Sequence, residues 1–77
     1  MLTPGKHLCL SRPTVAIALE HGKRTAILIP TGGVIEILPG FVQGDVTIEV
    51  MWVSQQVTMF SGDIEERGRM VRAKPEN

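Results

Sequence analysis

The chain is short of nearly everything that a dedicated chemistry would need. It carries one cysteine, Cys9, in 77 residues. A single thiol excludes an internal disulfide framework and every multi-cysteine zinc site. Aromatic residues are scarce, with no Tyr, two Phe and one Trp. That is a thin platform for stacking bases, and it supplies no aromatic-lined groove of the kind that grips proline-rich peptides. Charge of one sign is missing too: eight Lys and Arg balance eight Asp and Glu, for a formal net charge of zero. Proteins that hold phosphate backbones are visibly basic, so nucleic acid is not the expected partner. No apolar run approaches the ~20 residues of a membrane-spanning helix. Met1 to Leu10 lacks the basic start, long apolar stretch and small-residue cleavage site of an export signal. With one free thiol, these features point to a reducing cytoplasm.

What is present is an apolar fraction of 43%, typical of a folded domain rather than a disordered chain. The length allows one domain, spanning residues 1–77. A chain this small buries only about 60% of the surface its unfolded form exposes, which leaves a narrow margin over chain entropy. Self-association is a common remedy, and a homo-oligomer, dimer or tetramer, is expected here.

Glycine and proline divide the chain into short strands. From Asp45 to Val53, Val46, Ile48, Val50 and Trp52 alternate with Thr47, Glu49 and Met51. Period two with β-branched residues marks a half-buried strand. Gln55-Gln56 is expected to turn, and Val57 to Phe60 to return with Val57 and Met59 facing inward. Thr14 to Glu20 alternates as well, Val15, Ile17 and Leu19 against Thr14, Ala16 and Ala18. His21-Gly22-Lys23 then offers a turn and Arg24 to Ile29 a return strand. Pro30-Thr31-Gly32-Gly33 breaks that strand, because proline cannot donate to a ladder and glycine permits positive φ. Val34 to Leu38 follows, up to Pro39-Gly40, and Phe41 to Gly44 is a loop. The helical signal lies at Ser61 to Gly68, with Asp63 as N-cap, Glu66 three residues on, and Gly68 at C′. That span predicts one turn, of 3₁₀ type. Arg69 to Arg72 can add a last strand. Residues 1–12 read as an arm or an edge strand through His7-Leu8-Cys9-Leu10, and 74–77 as a flexible polar tail.

The predicted fold is therefore all-β: a small, strongly bent antiparallel SH3-like barrel of five to six short strands, with one 3₁₀ turn before the last strand. Trp52, then Val57-Thr58-Met59-Phe60, then Asp63-Ile64-Glu65-Glu66-Arg67-Gly68 resembles a set of small bacterial proteins of unassigned function. Their pattern is of the type V-x-V-x-W, V-x-M-F, D-(L/I)-x-x-R-G. Gly22-Lys23-Arg24 and Ile29-Pro30-x-Gly32 fit it as well, so the resemblance runs roughly from Thr14 to Val71. It implies a small β-barrel and carries over no activity. Val53-Ser54-Gln55-Gln56 departs from it, since those proteins often place a charged or glycine-containing turn after the Trp.

Candidate functional residues compete with simpler roles. Trp52 and Met59 can grip a partner or fill the core. Phe60, of opposite parity to Met59, is the better exposed anchor. Asp63 and Arg67 can form a charged hot spot, or an i,i+4 pair that locks the helical turn. His7, Cys9 and His21 match no zinc spacing, and Cys9 has no base other than His7. Pro30-Thr31-Gly32-Gly33 lacks the lysine and the following helix of a phosphate loop. No cofactor or metal is implied. The basic residues Arg67, Arg69, Arg72 and Lys74 are matched one for one by Asp63, Glu65, Glu66 and Glu76.

No acid, base and nucleophile converge, so the expected function is a non-enzymatic, self-associating protein-interaction module. Another protein is a further candidate partner. The alternative is a small nucleic-acid-binding barrel, on fold analogy alone. Leu2, Leu8, Leu10, Phe41, Val42, Met51, Val53 and Phe60 sit at positions that loops or an outward face would leave wet, as partner surfaces often are. The candidate interaction surface is Met51, Trp52, Phe60, Phe41 and Arg67.

Overall fold

The computed structural model describes residues 2–71, and they form an all-β fold with one short helix. In chain order the elements are β1 (His7–Leu10), β2 (Thr14–Glu20), β3 (Lys23–Ile29), β4 (Val34–Ile37), β5 (Thr47–Trp52), β6 (Gln55–Phe60), α1 (Ser61–Arg67) and β7 (Gly68–Met70). All seven strands join one antiparallel sheet in the order β3-β2-β6-β5-β4-β1-β7. Among the described residues β3 and β7 each have one neighbour, so the bent antiparallel sheet does not close on itself, and it has seven strands where five to six were expected. His7–Leu10 is not an edge strand. It lies between β4 and β7, and the edge falls to β7. The predicted tail, 74–77, lies outside the described residues.

The sheet curls so that one face from β2 to β1 shares a single core. Ala16 and Ala18 of β2, Val57 and Met59 of β6, Ile48 and Val50 of β5, Ile35 and Ile37 of β4, and Leu8 and Leu10 of β1 are all buried in one cluster. The open end is filled from outside the sheet. Ile64 of α1 is fully buried and Leu2 nearly so. The Gly5 amide donates to the Ile37 carbonyl, and the Gln43 side chain donates to the Leu2 carbonyl. Leu2, Leu8 and Leu10, expected to be wet, are thus core residues, because β1 gains strands on both sides and the N-terminal segment folds over its end.

Period two located the strands but not always their inward face. On β6 Val57 and Met59 point in as expected, and on β4 and β5 Ile35, Ile37, Ile48 and Val50 are buried, although Val46 precedes β5 and is exposed. On β2 the small residues point in: Thr14, Ala16 and Ala18 are buried, while Val15 and Leu19 are exposed. The register explains it. Ala16 stands opposite Met59 and Ala18 opposite Val57, so β6 already fills that part of the interior. A second row of large side chains there would overpack it.

Both hairpins turn through two residues with positive φ. His21 (53°) and Gly22 (77°) link β2 to β3, and Val53 (51°) and Ser54 (63°) link β5 to β6. These are type I′ angles, which suit the right-handed twist of the flanking strands. Gln55 and Gln56 therefore belong to β6 and not to the turn. A β-branched residue rarely takes positive φ, so Val53-Ser54 gave no turn signal.

The helix is α rather than 3₁₀ and begins two residues before Asp63. Phe60 occupies the N-cap position, with no side-chain capping bond. Gly68 is extended (φ −82°) and opens β7 directly. Its lack of a side chain is needed for space: a Cβ would lie 2.6 Å from the Ile64 carbonyl oxygen and 3.1 Å from Leu8 Cδ1. Gly33 has a similar role in the turn before β4. A Cβ there would stand 2.5 Å from Ile29 Cγ2 and 3.3 Å from Trp52 Nε1.

Two stability measurements check these assignments. Gly33→Ala is expected to cost about 1–3 kcal/mol in urea unfolding, since buried, β-branched Ile29 has little room to yield. An unchanged midpoint would show that the turn shifts freely. Val53→Asn combined with Ser54→Gly supplies the residues that type I′ turns prefer, and a gain of about 1 kcal/mol is expected. A loss would mean that the turn does not hold these angles in solution.

Candidate functional site

The inward choice made by β2 places its aliphatic residues on the outer face of the sheet. Leu28 pairs with Val15 across β3 and β2. The β2–β6 register continues one step from Ala16–Met59 to set Val15 beside Phe60. These three residues form one cross-strand row, and all are solvent-accessible: Leu28 60%, Val15 44% and Phe60 42%. Leu19, at the far end of β2, is 67% exposed, with half-buried Ile17 between it and Val15. Outward aliphatics over an inward row of alanine invert the usual strand pattern.

The next part of the face is polar. Glu49 on β5 is half-buried and accepts hydrogen bonds from the Thr58 hydroxyl and the Gln56 amide of β6. Arg24 on β3 and Glu49 line a shallow groove of about 470 Å³ whose other walls include Ile17, Leu19, Gln56 and Thr58. Beyond it, His7 Nε2 lies 3.8 Å from Glu36 Oε1, both well exposed, and an exposed pair of this kind contributes little stability. A second concavity, of about 440 Å³, opens on the other side near α1 between Leu2, Leu8, Ile37, Ile64 and Met70. Among the described residues no group of three or more His, Cys, Asp or Glu side chains could hold a metal ion. None of the described helices is long and apolar enough to cross a membrane.

The sequence-predicted site residues fall in three places. Met51 and Phe60 share the outer face but at opposite ends of β5–β6, since Met51 pairs with Gln56 and Phe60 with Thr47. Trp52 and Phe41 are half-buried and pack against the core. Arg67 ends α1, where its Nη1 donates to the Pro13 carbonyl and its backbone carbonyl accepts from the Ser11 amide, tying the helix to the base of β2. Its Nε is buried with no hydrogen-bond partner. The ion pair at this end joins Arg12 and Glu66, 3.5 Å apart.

Val15, Leu19 and Leu28 belong to the apolar face and were not among the predicted site residues. A signal was present in Thr14–Glu20, in the strict alternation of alanine with larger aliphatics, but it has to be read with the alanines inside. No family model, curated protein or solved structure matches this chain.

Proposed function

We propose that the protein is a non-enzymatic interaction module that self-associates through the outer face of β2, β3 and the end of β6. The inverted amphipathicity of the β2–β3 hairpin carries this reading. Isolated surface aliphatics are ordinary, but Val15, Leu28 and Phe60 form a contiguous row on a regular strand scaffold. Rigid, contiguous apolar patches mark association surfaces. A second copy supplies an equal apolar face, so covering the row needs no other component. The near-zero net charge adds no long-range repulsion between copies.

Light scattering on a sizing column under reducing conditions tests it. The wild-type protein is expected at dimer or tetramer mass. Phe60→Glu and Val15→Glu are each expected to lower the mass, with far-UV circular dichroism unchanged, because both side chains already face solvent. A monomeric wild type at high micromolar concentration would refute the reading, as would wild-type mass in both variants.

A further inference from the structure

Resting on the self-association proposed above, we infer that two copies join edge to edge through β3, antiparallel and centred on Ala26, into one continuous sheet.

Among the described residues the sheet has two free edges, and they differ. β7 is three residues long and carries Arg69, a short, charged edge that resists pairing. β3 is seven residues long, Lys23–Ile29, and among the described residues pairs only with β2. Its charges sit together at the hairpin tip, and from Thr25 to Ile29 it has no charge, proline or bulge. Such a strand has none of the usual protections against pairing with another strand.

Hairpin geometry identifies the groups it offers. A two-residue type I′ turn closes on a hydrogen-bonded pair, here Glu20–Lys23. Hydrogen-bonded and non-hydrogen-bonded pairs then alternate along the ladder. Lys23, Thr25, Ile27 and Ile29 therefore spend their amides and carbonyls on β2. Those of Arg24, Ala26 and Leu28 point outward from the sheet, toward a missing strand.

A second copy meets that demand over the full length of the strand. Ala26 is the midpoint of Lys23–Ile29. A two-fold axis there pairs Ala26 with itself and Arg24 with Leu28 of the other copy, in both directions. Each of these pairs exchanges both of its hydrogen bonds, so no outward group is left over. Shifting the axis to Thr25 or Ile27 strands Leu28 or Arg24. Charge selects the same arrangement. A parallel pairing in register would oppose Arg24 to Arg24, whereas the antiparallel one lays each arginine stem over Leu28 of the other copy, flanked by Leu19 of its own hairpin. Leu28 of each copy is then flanked by Arg24 of the other, and the apolar row runs on across the axis as one larger outer face, still open to the face contact proposed above.

The test uses the full chain. Ala26→Pro removes the central donor without touching a bond to β2, and is expected to weaken dimerisation about tenfold or more. Because proline can also disturb the hairpin, a crosslinking pair stands beside it. In a Cys9→Ser background, Ala26→Cys places two thiols at a pair with Cα atoms ~5.5 Å apart, within disulfide reach. Leu28→Cys places them ~14 Å apart along the strand, out of reach. With glutathione disulfide as oxidant, a covalent dimer from Ala26→Cys and none from Leu28→Cys is expected. A wild type that dimerises while Ala26→Cys fails to crosslink, or while Leu28→Cys crosslinks equally well, overturns the β3 pairing and leaves self-association standing. A monomeric wild type overturns both.

Discussion

The structure turns on how little volume β2 places inside the sheet. Ala16 and Ala18 stand where Met59 and Val57 already occupy the interior. The interior beside β2 and β6 is then filled without the overpacking that larger inward side chains on β2 would bring. The same choice fixes the outer surface, because residues of one strand alternate between faces. Val15 and Leu19 are outward because the alanines are inward. Core geometry and exposed apolar face are thus two consequences of one packing constraint.

Closure of the core is handled by pieces that are not strands of the sheet's middle. With β3 and β7 left as edges, the interior is sealed at one end by Ile64 of α1 and by Leu2. Close approaches without side chains make this possible. At Gly68 the chain passes from helix to strand against Ile64 and Leu8, and at Gly33 it passes close to Ile29 and the Nε1 of Trp52. Arg67 anchors the helix to Pro13 at the base of β2. An open sheet capped in this way keeps one long edge exposed, a feature that a closed barrel would lack.

Much of this was legible in the residues. The strands around 14–20, 34–38, 45–53 and 57–60 follow from period two with glycine and proline at the breaks, and Val57 and Met59 were expected inward and are. The Val53-Ser54 turn was not legible, since a β-branched residue at positive φ runs against turn preference and is imposed by the pairing of Trp52 with Gln55. Leu8 and Leu10 could not be assigned to the core, because β1 draws its neighbours from β4 and from β7, about 25 and 60 residues away in the chain. Phe60 and Met51 were correctly placed on the face opposite the core, while Trp52 and Phe41 turn toward it.

By itself the sequence determined the fold class, the strand breaks marked by glycine and proline, and the absence of any cysteine framework. These depend on local properties: side-chain periodicity, the fixed φ of proline, the freedom of glycine. Only the tertiary structure decided which face of β2 is inside, which strands become edges, and that Val15 and Leu28 join Phe60 in an apolar row that meets solvent. Alternation defines two faces of a strand but not which one the core will take. That depends on the volume already supplied by its neighbours, here Val57 and Met59, and the pairing that makes them neighbours spans some forty residues of chain.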